Sequence, residues 1–131
     1  MTATNDTGKG IYRVSFYASG VIAAYREDIK SSCIKVWPFT SWTNGIMKDG
    51  TGDFEGIKIA PSGRNGYCIL GKGNAISTNE EIQGIGDRLV AAIYRANRWH
   101  YCKIWFSVGF VVEDRVYEMT DYDRIKQEEG R

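Results

Sequence analysis

The chain has 131 residues, 43% hydrophobic and 25% charged, with a formal net charge of +1. That length supports one domain with a proper core, and near-neutrality argues against a general nucleic-acid binder, which carries a strongly basic domain. No apolar run approaches the roughly 18 residues of a membrane span, and the opening MTATNDTGKG has no apolar signal-peptide core. A cytoplasmic protein is expected.

Residues 1–9 lack large apolar groups and are expected to form a disordered tail. In IYRVSFYASGVIAAYRE, Tyr12, Val14, Phe16 and Ala18 alternate with Arg13, Ser15 and Tyr17, the period of a half-buried strand. Ser19-Gly20 would turn the chain into a second strand over 21–26. CIKVW (33–37) reads as a third, stopped by Pro38. The glycine-bearing tract 38–53 reads as irregular, a binding loop or lid. FEGIKIA and GYCIL then flank PSGRNG (61–66), a run of turn formers.

The clearest element is one long helix over about 78–97. Ser77 with Glu80, and Thr78 with Glu81, each fit a capping box, while Ile82, Ile85, Leu89, Ile93 and Ala96 share one face. Gly84 and Gly86 weaken its first turns and predict close packing there. YCKIWFSVGFVV and RVYEMTD follow as a hairpin turning at Glu113-Asp114, and residues 125–131 read as a loose tail. The fold class expected is α+β, a mostly antiparallel sheet packed on one long helix, in a single domain over 10–124.

The candidate chemistry is sparse. GYCILGKG (66–73) has the Gly and Gly-Lys spacing of a P-loop, but Gly73 replaces the magnesium-binding hydroxyl and Tyr67 to Leu70 are strand-like. It reads as a strand that delivers a flexible turn, GKGN, to the helix. KDGTGDFEG (48–56) imitates half a calcium loop without its first and last ligands. Cys33, Cys68 and Cys102 form no metal spacing and read as buried thiols, and His100, the only histidine, as a hydrogen-bonded junction residue. No motif calls for a cofactor or a metal, and none supports a named reaction. Arg88, Arg95 and Arg98 fall on one side of the helix, a solvated face or a phosphate contact. Arg64 and Asn65, Arg115 and Arg124 are further donors. Trp37, Phe39 and Trp42 of WPFTSW would either stack on a base or cap the end of the sheet.

Strands such as IYRVSFYASG, a central helix ending YRANRWHYC, and a C-terminal EDRVYEMTDYDR together give a layout that resembles the first Thoeris anti-defence family. Those are compact phage proteins that sequester cyclic ADP-ribose-type signalling nucleotides without degrading them. The resemblance spans most of the chain. It implies a non-enzymatic binding protein in the host cytoplasm, a homo-oligomer with pockets between subunits, Arg on phosphates, and Asn or Asp on base and ribose. Arg64, Arg95, Asn97, Arg115, Asp121 and Arg124 are the candidate ligand residues. Two alternatives stand beside it: a protein-targeting inhibitor of a host defence effector, similar to anti-CRISPR proteins, and a small nucleotide-acting enzyme.

Overall fold

The alternating run near the N-terminus forms one strand, β1 (Lys9–Val21), in the computed structural model, which describes residues 9–47, 52–54, 57–59, 66–109 and 113–129. The expected hairpin at Ser19-Gly20 is absent. Gly20 takes φ +103°, and the pairing slips between Ser19 and Val21, so the glycine makes a bulge and the strand runs on. After a 3-10 turn at Ala23–Tyr25, helix α1 (Arg26–Val36) replaces the strands expected at 21–26 and 33–37. Ile29 and Cys33, four residues apart, bury one face of it, while Glu27 and Asp28 open it and Lys35 closes it, as the helix dipole favours. Short β-branched runs do not distinguish strand from helix, and here the fourfold spacing prevails.

β2 (Ser41–Met47) occupies much of the tract read as irregular, and residues 48–51 of that tract lie outside the described residues. Among the described residues, β3 (Gly52–Phe54) and β4 (Ile57–Ile59) pair with each other and with no other strand. β5 (Gly66–Thr78) then runs for 13 residues, straight through the GKGN expected to be a turn. Its glycines serve close approach. A Cβ at Gly71 would lie 2.6 Å from the Phe16 ring, and one at Gly73 only 2.6 Å from the Pro38 carbonyl oxygen.

The Thr78/Glu81 capping box forms as expected, with Glu81 N–H donating to Thr78 Oγ1 at 3.0 Å and Thr78 N–H to Glu81 Oε1 at 2.9 Å. The single helix does not. It divides into α2 (Asn79–Ile82) and α3 (Ile85–Ala96) at Gly84, whose φ of +84° is incompatible with a continuous helix. Gly86 meets the expectation of close packing: a Cβ there would lie 2.7 Å from the Tyr117 hydroxyl. β6 (Lys103–Val108) and β7 (Glu113–Tyr117) form the last hairpin, with Val108 opposite Glu113. Glu113 and Asp114, expected to form its turn, belong to the strand β7. α4 (Met119–Glu129) takes in most of the expected loose tail, because Tyr122 and Ile125 dock into the core.

The main sheet is antiparallel in the order β2-β5-β1-β6-β7, so the fold is α+β. β5 lies between β1 and β2, and β1 between β5 and β6. With α1 and α3 as the crossovers, these are two interlocked split β-α-β units, the ferredoxin-like arrangement, extended by β7 and α4. The three longer helices cover one face. Tyr12, Val14, Phe16 and Ala18 of β1 meet Ile29 and Cys33 of α1, Leu89 and Ile93 of α3, and Ile125 of α4 there. The other face carries a smaller cluster of Tyr17, Cys68 and Leu70, with Trp105 packed against it.

Candidate functional site

The sequence-derived candidates separate into three places. Arg64 lies outside the described residues. Asn97, at the C-terminus of α3, is fully buried, and its amide is committed to the fold: Oδ1 accepts from Ile22 N–H at 2.9 Å, and Nδ2 donates to the His100 carbonyl at 2.9 Å. It splices the ends of β1 and α3 and has no atom left for a base or ribose. The expected junction role of His100 is carried by its main chain, which also donates from N–H to Asn97 O at 3.1 Å.

The basic face of the helix is also not assembled as expected. Arg98 follows α3 with φ +56°, lies against the Tyr25 ring at 4.3 Å and pairs with Asp28 at 2.7 Å. Arg95 pairs with Glu129 at the end of α4. Both arginines clamp helices together.

Arg115, Asp121 and Arg124 do come together, at the corner where β7, α3 and α4 meet. Arg115 Nη2 donates to Asp121 Oδ1 at 2.7 Å, and its other terminal nitrogen lies 3.6 Å from Asp87. Arg124 lies 3.7 Å from Asp121 and 3.6 Å from Glu128. Asp121 also accepts from Glu118 N–H, which caps the start of α4. The Tyr117 hydroxyl donates to Asp87 at 2.9 Å, and burial first, then that hydrogen bond, holds its proton well above the ordinary phenol range. Two guanidinium groups face three carboxylates, so this corner is neutralised internally, and an incoming phosphate would have to displace a carboxylate first.

The aromatic run WPFTSW takes the structural role. Trp37 and Phe39 are buried, and Phe39, Trp42 and Phe16 pack edge to face with centroids 5.3 to 5.9 Å apart. Trp37 Nε1 donates to the Gly73 carbonyl across the close approach of β5. Cys33, Cys68 and Cys102 are buried and unpaired, as expected; burial pushes the Cys102 thiol up to about 12, against a hydrogen bond from Asn97 that lowers it.

A concave surface lies elsewhere, across β1, β6 and β7, where Phe16, Phe106 and Arg115 of the helix-facing phase join residues of the opposite phase. A cavity of about 350 Å³ crosses β1, β6 and β7, lined among others by Ser15, Tyr17, Trp105, Ser107, Arg115 and Val116. The register builds it. Tyr17 stands opposite Trp105, Trp105 opposite Val116, and Ser15 opposite Ser107, and paired residues of an antiparallel sheet share a face. Tyr17 and Trp105 are 5.2 Å apart at 54°, and Lys103 Nζ sits 5.3 Å from the Trp105 ring centre while pairing with Glu118 at 3.9 Å. Burial, then a hydrogen bond with Cys68, raises the Tyr17 phenol, which therefore stays neutral. The surface offers a half-buried indole face, two hydroxyls and a cationic margin, which are groups for binding a planar ring that carries negative charge.

Among the described residues, Arg115 alone is common to this cavity and the sequence-derived set. The missed residues were visible as the outward phase of two strands, Ser15 and Tyr17 in one and Lys103, Trp105 and Ser107 in the other. That these strands are neighbours was not. No protein-family model matches the chain, and no curated protein sequence matches it.

Proposed function

We propose that this protein is a non-enzymatic binding protein that holds a small signalling nucleotide of the cyclic ADP-ribose type in the β1-β6-β7 cavity and releases it unchanged. The observation that carries the reading is the cavity itself: about 350 Å³, within the size range of small-ligand sites, with the Trp105 ring beside the hydroxyls of Ser15 and Ser107. An adenine ring stacks on the indole, the hydroxyls meet ribose oxygens, and a cation on the same sheet face meets phosphate. The groups around the cavity bind and orient; a neutral, buried Tyr17 phenol is a hydrogen-bond donor rather than a base. In a cell, sequestration of such a nucleotide would blunt the defence response it signals. Assembly into a homo-oligomer would proceed through an edge strand, β2 or β7, each unpaired on its outer side among the described residues.

Calorimetric titration with cyclic ADP-ribose should show saturable binding, and Trp105→Ala should weaken it at least tenfold in protein that circular dichroism shows to be folded, with some loss of melting temperature because Trp105 packs on Tyr17 and Leu70. Ligand recovered after heat denaturation should be intact. Recovery of a hydrolysed product would replace this reading with that of a nucleotide-acting enzyme.

A further inference from the structure

We infer that the phosphate of the bound nucleotide is met by Arg13 together with the Ser15–Ser107 row, and not by the arginines of the helices and the α4 corner. The inference rests on the cavity being the ligand site, as proposed above.

The sheet face that carries Ser15 and Tyr17 is ordered in rows. Tyr17 and Trp105 form one row and Ser15, Lys72 and Ser107 the next; Arg13 and Asn74 follow. Successive rows lie two residues apart along each strand, about 7 Å. A ring stacked at Trp105 therefore has hydroxyls one row away, about the reach of a single pentose. A cation stands one row beyond, on a side chain long enough to lean back over the hydroxyls.

Charge pairing selects Arg13. Arg95, Arg98, Arg115 and Arg124 each hold a carboxylate within 4.0 Å, so an anion must compete with an internal partner at every one of them. Lys103 pairs with Glu118. Arg13 is exposed, and its side chain makes no ion pair or hydrogen bond among the described residues. It also stands in a stiff frame: its own carbonyl accepts from Gly109 N–H at 2.6 Å, and its strand pairs with β5 across Asn74. A planar, five-donor guanidinium held at a strand position and lacking a carboxylate suits a phosphate oxygen pair. The ligand class that fits is a small nucleotide whose ring and phosphate are separated by one ribose.

The test is a comparison of adenosine 5′-monophosphate with adenosine by calorimetry on the full chain. Wild-type protein should bind the monophosphate about tenfold more tightly than the nucleoside. Arg13→Ala, and Arg13→Gln as a milder second variant, should reduce that ratio to near one while leaving adenosine affinity and melting temperature unchanged. Arg115→Ala and Arg95→Ala should preserve the ratio. Loss of the ratio in Arg115→Ala with retention in both Arg13 variants would overturn the assignment while leaving the cavity reading intact. Failure of the wild-type protein to bind cyclic ADP-ribose, the monophosphate or adenosine would overturn both. Tighter binding of a ten-residue oligothymidylate than of the monophosphate would overturn the small-ligand class in favour of single-stranded nucleic acid.

Discussion

Asn97 shows how a residue type associated with ligand recognition is consumed by the fold. The two residues after it, Arg98 and Trp99, both take left-handed conformations, at φ +56° and +60°, which costs energy in non-glycine residues. Their geometry is held by Trp99 N–H donating to the Tyr94 carbonyl at 2.8 Å, by the Asn97 amide, and by the Arg98–Asp28 pair. Asn97→Ala would orphan the Ile22 N–H and the His100 carbonyl at once in a buried place. It should destabilise the protein by about 3 kcal/mol, measured by urea unfolding, with nucleotide affinity of the folded fraction unchanged. An asparagine among polar neighbours in YRANRWHYC carries no sign of this commitment. Its partners at 20–22 are about 75 residues away in sequence, and only the folded chain brings them into reach.

At the level of elements, the periodicity was legible where one face alone was buried, and misleading where it was short. The stripe from Ile82 to Ala96 identified the helical segment, and the Thr78/Glu81 box located its first turn, α2, because capping depends on residues only three apart. The break at Gly84 was not legible: a glycine in a helical pattern reads equally as a weak helix position or as a left-handed corner. The glycines of β5 are the same ambiguity in a strand. Local composition favours a turn there, and tertiary contact decides otherwise. Gly73→Ala should cost about 2–3 kcal/mol, since its Cβ would strike the main chain at Pro38 and Phe39, which is fixed. Gly71→Ala should cost less, because its new neighbours are the ring edges of Phe16 and Trp42, which can tilt. Thermal melts of the two variants check that order.

For the whole molecule, a shared feature of the core is its buried acidic protons. Burial raises the thiols of Cys33 and Cys102 and the phenols of Tyr17, Tyr94 and Tyr117, each above its ordinary value. In the unfolded chain these groups lose protons from about pH 8.5 for cysteine and about 10 for tyrosine. The native state holds them longer, so it binds more protons than the unfolded state above those values, and stability falls as pH rises. Their contribution is fully present below about pH 8.5 and declines by about 1.4 kcal/mol per group per pH unit once the unfolded form titrates. The melting temperature should therefore stay level to about pH 8.5 and drop steadily from pH 9 to 11. A plateau persisting to pH 11 would contradict the burial of these groups.

Read alone, the sequence determines the α+β class, the buried stripe of α3, the capping box that opens α2, the outward phase of β1 and the absence of a working P-loop, since each depends on residues within a few positions of one another. The tertiary structure decides the rest. It sets which strands are neighbours, so that Tyr17 meets Trp105 and Ser15 meets Ser107 to form a cavity. It also sets which arginines find carboxylates, and among the described residues it leaves Arg13 without one. Both are consequences of pairing over distances of tens of residues, which local spacing does not encode.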